Sequence, residues 1–364
     1  MKIATICGTR PEIIRLSRVI ASLDQHCTHH LIFTGQNHDP RLSSIFFDEL
    51  RVRQPDHWWD VQSANFGEQI GKIVSQTVQY LEKERPDRVL ILGDTNSGMA
   101  AIAAARMGIP VYHMEAGNRC YDNRVPEEVN RRIIDHSSEV LLPYTHRSKE
   151  NLQAEGIHRD RIFVTGNPIF EVLDYYEADI NSSRILGRLG ISSGCYFAVT
   201  LHRSENVDCS HRLERILSGL DLIAERYQKP VIVSLHPRTA DKIKKFDLAP
   251  KSSLVRFVAP MGFFDFAKLE MHALAVLTDS GTVQEEAAIM QVPNVILRDV
   301  TERSEAIEAG SGILSGGSAD EMMRAVQFAV ESTNDWMPPV EYVQPNVSSI
   351  VTRIVLGFRM ARAA

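Results

Sequence analysis

Short apolar runs alternate with amphipathic stretches along most of the chain. Residues 2–7 form a run of strand length, and after it Ile13, Leu16, Ile20 and Leu23 recur at helical spacing. A second strand is expected at 30–33. Ile70, Val74, Val78 and Leu81 then mark a long amphipathic helix ahead of a strand at 88–92. The Ala-rich stretch 99–107 and strands at 111–114, 140–142 and 162–165 continue the series. Strands that alternate with helices in this way predict βαβ units, hence a parallel sheet with helices on both faces.

Between 174 and 194 the chain turns polar and irregular (EADINSSR, then GISSG), and a linker is expected there. The alternation then restarts, with strands expected at 196–201, 231–235, 254–257, 275–278 and 294–297. The tail from Val347 to Arg362 has the spacing of one more amphipathic helix, after a loop that contains Pro338, Pro339 and Pro345. The predicted architecture is α/β: a doubly wound domain over 1–172, a second over 190–345, and a helix in 346–364 that packs back on the first. Ligands of open parallel sheets lie beyond the carboxyl ends of the strands, so two such domains facing a central cleft are expected to hold one there.

A length of 364 residues fits two domains, each large enough for its own core. The 40 basic and 46 acidic residues leave a net charge of -6, which supplies no global basic field for nucleic acid or an anionic bilayer. Neither partner is expected. No signal peptide and no run of about 18 apolar residues is readable. The five cysteines, Cys7, Cys27, Cys120, Cys195 and Cys209, are odd in number and scattered, without CxxC pairs. No metal site or disulfide framework is expected from them, and a reducing cytoplasm is.

Candidate chemistry collects where strands end. Gly8-Thr9-Arg10-Pro11-Glu12 joins the first strand to the first helix, where Arg10 and the helix amino end would receive an anionic group; a turn capped by Thr9 would look the same. Gly93-Asp94-Thr95-Asn96 closes a buried strand, with helix capping as the plainer alternative, and His113-Met114-Glu115-Ala116-Gly117 closes the next. Asp94 and Glu115, at the ends of successive strands, would converge on one wall and support proton transfer. Pro126 reads as a first helical residue, which puts Glu127 and Glu128 in the first turn, where capping alone accounts for them. Glu127 and Arg131, four apart, would carry a carboxylate and a cation on one face.

Further along, His202 and His236 each follow a strand and are read either as structural or as proton-delivering histidines. Leu277-Thr278-Asp279-Ser280-Gly281-Thr282 runs from a strand into a helix and would offer backbone N–H groups to a phosphate, with Glu286 one turn on as an acceptor for ribose hydroxyls. Arg298 and Thr301-Glu302-Arg303 add polar groups to the same rim.

The segments GTRPE, TGQNHD, GDTN, HMEAGNR, RVPEEVNRR, TGNP, TLHRSEN, TDSGTVQEEA and TERSEA, in this order from residue 8 to residue 306, resemble the non-hydrolysing UDP-N-acetylglucosamine 2-epimerases. The resemblance covers nearly the whole chain. It implies two Rossmann-like domains of the glycosyltransferase B type, acting as a homodimer on a UDP-N-acetylhexosamine without NAD, metal or any other cofactor. The implied reaction interconverts UDP-N-acetylglucosamine and UDP-N-acetylmannosamine for cell-surface polysaccharide precursors. UDP is eliminated across C1 and C2 to a bound 2-acetamidoglucal, then added back with the proton delivered to the opposite face of C2. By motif match Asp94, Glu115 and Glu127 are the acid/base carboxylates and His202 stands at the diphosphate and leaving oxygen. Arg10, Ser280, Gly281 and Thr282 fall at phosphate-binding positions, Glu286 at the ribose position, Arg131 near the diphosphate, and His236 among the substrate-binding positions.

Two stretches depart from the regulated bacterial members. Gly35-Gln36-Asn37-His38-Asp39-Pro40 stands where those carry a glutamine-histidine-arginine stretch, and Pro237-Arg238 follows His236, which speaks against activation by a second nucleotide sugar. Asn118–Asp122 and 124–126, with 12–18, are more similar to the subgroup that epimerises UDP-2-acetamido-2,6-dideoxy-L-talose to UDP-N-acetyl-L-fucosamine. A retaining glycosyltransferase would share the fold but not the need for three carboxylates. A hydrolysing 2-epimerase keeps much of the same pattern, and a non-catalytic UDP-sugar sensor needs no matched acid and base.

Overall fold

The structure, a computed structural model, describes residues 1–36, 46–63, 65–332 and 335–359. They divide into two compact units, the described residues of 1–174 with those of 341–359, and the described residues of 175–340. In the first unit, β1 (Lys2–Cys7), β2 (Thr28–Phe33), β3 (His57–Trp58), β4 (Arg88–Leu92), β5 (Val111–Met114) and β6 (Val140–Leu142) pair in parallel, in the order β3-β2-β1-β4-β5-β6. The helices needed below are α1 (Arg10–His26), α2 (Phe66–Glu84), α3 (Ala100–Arg106) and α4 (Pro126–Ser137). Ile13, Leu16, Ile20 and Leu23 of α1 are buried, as their helical spacing requires. The last helix, Val347–Gly357, lies on α1, where Thr352 Oγ1 donates to Ser22 Oγ at 2.9 Å.

The second unit repeats this plan. Its strands β7 (Phe197–Leu201), β8 (Val231–Leu235), β9 (Val255–Val258), β10 (Ala275–Thr278), β11 (Asn294–Ile296) and β12 (Gly312–Leu314) run in the order β12-β11-β10-β7-β8-β9. Its principal helices are α5 (Ser210–Tyr227), α6 (Gly281–Ile289) and α7 (Ala319–Glu331), and Leu213, Ile216, Leu217, Leu220, Met322 and Val326 from α5 and α7 bury against the sheet. Both units therefore have the doubly wound order in which the chain reverses beside the first strand, between β1 and β4 and between β7 and β10.

Two expectations change. The predicted strand 162–165 is reduced to a single bridge between Leu141 and Ile162. Phe163 N–H and Thr165 N–H still donate to Leu141 and Pro143 (2.9 and 3.0 Å), but Pro143 has no N–H to return the ladder bond between them. The polar stretch read as a linker instead forms the short helices Glu177–Ser182 and Ile185–Leu189, which pack on the helix Phe263–Met271 of the second unit.

Candidate active site

In the first unit the turns after β1 and β4 meet where the strand order reverses, and a buried carboxylate joins them. Glu12 Oε2 accepts from Gly8 N (2.9 Å), Thr9 N (2.6 Å) and Thr9 Oγ1 (2.7 Å), and Oε1 accepts from Thr95 Oγ1 (3.0 Å). Burial pushes the Glu12 carboxyl up to about 7 against these donors. The amino end of α1 was expected to offer such groups to an anion; the N–H groups of Gly8 and Thr9 are instead committed to Glu12. Arg10 is exposed, with its guanidinium 5.3 Å from the centre of the Phe46 ring. Gly8 has to be glycine, because a Cβ would stand 2.1 Å from both Ser97 Oγ and Thr34 Oγ1. Those two hydroxyls bond each other at 2.7 Å, and Ser97 donates to Gln36 Oε1. Asn37–Pro40, the stretch that bears on a second nucleotide sugar, lies outside the described residues.

Asp94 and Glu115 end the adjacent strands β4 and β5, and an arginine holds each of them. Arg131 Nη2 and Nε donate to Asp94 Oδ2 at 2.6 and 3.1 Å, while its Nη1 donates to Glu128 at 3.0 Å. Arg15 Nη1 donates to Glu115 Oε2, both side chains being almost fully buried. Asn118 Nδ2 (3.3 Å) and Tyr144 OH (3.4 Å) also donate to Glu115. Glu115 has a φ of 64°, a left-handed conformation that is uncommon outside glycine and frequent at functional sites.

Glu127 is half-buried in the first turn of α4. Its neighbour Glu128 is wholly buried and accepts from Cys120 N (3.0 Å), Tyr121 N (3.1 Å) and Arg132 Nη2 (2.9 Å) as well as Arg131. Burial works to raise the Glu128 carboxyl, but the Cys120 N–H and the arginines hold it below the usual carboxylate range. Of the two acids read as helix caps, Glu128 thus ties the 118–125 loop to α4. His113 and Asp135, both fully buried, complete the support. His113 contacts Asp135 Oδ1 and the Gly93 carbonyl oxygen, each at 2.8 Å, and Asp135 Oδ2 meets Arg119 Nη1 at 2.8 Å.

In the second unit His202 follows β7 and Asp279 follows β10, again at the reversal. Asp279 is fully buried and accepts from His202 N, Arg203 N and Asn206 Nδ2 at 2.9 to 3.1 Å. Burial raises its carboxyl, opposed by these donors. The His202 ring stands 5.4 Å from that of the exposed His236, centre to centre. Ser280 stands at the N-cap position of α6 without a side-chain cap bond, and Gly281 and Thr282 open the helix, so the N–H groups of that first turn have no acceptors inside it. A Cβ on Gly281 would lie 2.6 Å from Glu302 Oε1. Buried ion pairs stand behind the turn, Arg303 on Glu285 and Arg298 on Glu302 (2.8 Å), and Glu286 is buried one turn into the helix.

Arg15, Glu12, Asn118, Tyr144, Glu128 and Asp279 were not singled out for these roles from sequence. A signal was present for Arg15, a cation on the apolar face of α1, and for Asp279, an acid at a strand end. Nothing local marks Tyr144. Among the described residues no group of histidine, cysteine and carboxylate side chains is placed to hold a metal ion, and no helix is long and apolar enough to cross a membrane.

Two doubly wound units, each with polar and charged groups collected at its strand reversal, define a protein of the double Rossmann class. The sequence model of UDP-N-acetylglucosamine 2-epimerases matches residues 21–356. UDP-N-acetylglucosamine 2-epimerase from Methanocaldococcus jannaschii is 40% identical over 348 residues, 93% of this chain and 95% of that one. UDP-2,3-diacetamido-2,3-dideoxy-D-glucuronate 2-epimerase from Pseudomonas aeruginosa is 34% identical over 92% of this chain and 93% of its own. The crystal structure of the M. jannaschii enzyme in complex with UDP-GlcNAc and UDP superposes with a TM-score of 0.93 at 38% identity, covering 97% and 99% of the two chains. The chain belongs to the UDP-N-acetylglucosamine 2-epimerase family, a family of isomerases built on the glycosyltransferase B plan.

Proposed function

We propose that the chain is a non-hydrolysing epimerase that inverts C2 of a UDP-N-acetylhexosamine, with UDP-N-acetylglucosamine and UDP-N-acetylmannosamine as the interconverted pair. The observation that carries the reading is the pairing of Asp94 with Arg131 and of Glu115 with Arg15 at adjacent strand ends. Inversion at a carbon with no carbonyl beside it needs a base on one face and an acid on the other, and Asp94, Glu115 and Glu127 supply the carboxyl groups. The C2 proton and UDP leave together to give the 2-acetamidoglucal; UDP then returns to C1 as a proton reaches the opposite face of C2. Ser280, Gly281 and Thr282 hold the diphosphate at the start of α6, with Arg10 as a further phosphate-binding residue and Arg131 as a cation near the diphosphate; Glu286 takes the ribose hydroxyls, His236 is a substrate-binding residue, and His202 stands at the diphosphate and leaving oxygen.

The M. jannaschii structure with UDP-GlcNAc and UDP supports this substrate class, and the Pseudomonas relative supports C2 epimerisation as the step shared among different UDP-sugars. The similarity of 118–126 to the fucosamine subgroup favours UDP-2-acetamido-2,6-dideoxy-L-talose as a second substrate. We place the reaction in the reducing cytoplasm, in keeping with five free cysteines, and in a homodimer, for which light scattering should return twice the 40.9 kDa chain mass.

Incubation with UDP-N-acetylglucosamine in deuterated water tests the function. Deuterium at C2 with the UDP-sugar retained is expected. Free N-acetylmannosamine would identify a hydrolysing enzyme, transfer to an acceptor a glycosyltransferase, and no turnover a sensor. The same incubation with the 6-deoxy-L-talose nucleotide compares specificity constants.

A further inference from the structure

We propose that Asp279 is a positioning residue, which fixes the His202 imidazole with Nδ1 as its donor and so makes Nε2 the atom offered to the leaving diphosphate oxygen. The inference rests on the role of His202 given above. Asp279 ends β10 and His202 follows β7, the two neighbouring strands at which the order of the second sheet reverses. Its carboxylate accepts four N–H contacts from the 202–206 loop: His202 N at 3.1 and 3.0 Å, Arg203 N at 2.9 Å and Asn206 Nδ2 at 3.0 Å. A carboxyl group surrounded by donors is used as an acceptor only.

His202 Nδ1 stands 3.4 Å from Asp279 Oδ1, and the imidazole is about one-third exposed while the carboxylate is wholly buried. A ring nitrogen facing a carboxylate carries the proton. Nδ1 is therefore N–H whatever the charge of the ring, and any change of protonation falls on Nε2. A base whose far nitrogen is held by a buried carboxylate is the arrangement that orients activated histidines generally.

His236 shows the opposite arrangement on the neighbouring strand. Its Nδ1 accepts from Arg238 N at 3.2 Å, which places its proton on Nε2. Two histidines that look equivalent in the sequence, each after a strand, are thus set with opposite ring nitrogens as donors, His202 by the Asp279 carboxylate and His236 by a backbone N–H. With Nε2 protonated, the His202 ring is an imidazolium that the Asp279 carboxylate stabilises. It donates to the oxygen on which charge collects as the C1–O bond breaks, and it takes the same hydrogen bond back when the bond re-forms.

Four forms are compared: the unmodified chain, Asp279→Asn, His202→Gln and the double variant. Asp279→Asn is expected to lower kcat about 10- to 100-fold, the scale of an acid–base contribution, with KM and UDP affinity within a few-fold. In the His202→Gln background the same change is expected to have little further effect, because its path through His202 is gone. An equal loss of kcat in both backgrounds, or a change in UDP affinity alone, would overturn the proposal. If Asp279→Asn does not fold, long-range 1H–15N correlation spectra of the unmodified chain decide, with the His202 ring identified by comparison with His202→Gln. A proton on Nδ1 is expected, and a bare Nδ1 overturns it. Unchanged kcat in His202→Gln itself would refute the role of His202 under the proposed function, while the spectra would still report its orientation.

Discussion

At the scale of single residues the site is a set of carboxylates, each restrained differently. Asp94→Asn, Glu115→Gln and Glu127→Gln are each expected to lower turnover by about 10² or more, with UDP binding retained in calorimetry, the usual scale for general acid–base groups. Normal rates in all three would remove the proposed chemistry. Arg15→Leu leaves Glu115 buried without its cation and should reduce unfolding stability by about 3 kcal/mol in denaturant titration. Glu12 gives a pH signature of its own. Its carboxyl titrates near 7 in the folded chain against an ordinary value of 4.5, so the folded state binds the extra proton between those values. Stability from this group is complete below about 4.5 and is lost as pH rises through about 7, by about 3 kcal/mol at most. Glu12→Gln should flatten that part of the pH–stability curve, and an unchanged slope would show that Glu12 is not the group responsible.

At the scale of elements, the strand–turn–helix from β10 into α6 is the proposed nucleotide end of the site. Gly281→Ala puts a methyl group 2.6 Å from Glu302 Oε1, so either the helix start or the Arg298–Glu302 pair has to move. Overpacking of this kind costs about 1 to 3 kcal/mol, and a fall in UDP affinity should accompany it. Glu286→Ala should weaken UDP binding by about 1.5 to 3 kcal/mol while leaving the fold intact, as expected for hydrogen bonds to a charged acceptor. Most elements were legible because their periodicity is local: strand and helix patterns place β4, β5, β6, β8 and β10 and the buried stripe of α1. The strand at 162–165 failed for a reason invisible in its own residues, since the missing donor is Pro143 on its neighbour.

For the whole molecule, the proposed function puts UDP recognition in the second unit and carboxylate chemistry in the first, and this has a measurable consequence. UDP at about 100 times its Kd should stabilise whatever binds it by about 2.7 kcal/mol, and hydrogen exchange should report the gain in β7, β10 and α6. Protection confined to β1–β6 would contradict the assignment. Steady-state velocities should be hyperbolic in UDP-N-acetylglucosamine. Arg238, one of the two departures from the regulated pattern, pairs with Asp208, and sigmoidal kinetics would show that an effector site is present.

The sequence by itself determined the α/β class, the two-fold repetition of the plan, and the motifs that sit at strand ends, because these depend on local periodicity and on the general rule that parallel sheets place ligands there. It also identified Asp94, Glu115, His202 and the Ser280–Thr282 turn as candidates, since each ends a readable strand. Only the tertiary structure decided which charges meet. Arg15 and Glu115 are 100 residues apart, Asp94 and Arg131 are 37 apart, and His202 and Asp279 are 77 apart. Helical spacing suggested that Glu127 and Arg131 share a face, and only the folded chain showed that Arg131 also reaches Glu128 and Asp94. Such pairings follow from which strands lie side by side, and strand order is a property of the folded sheet that no local pattern encodes.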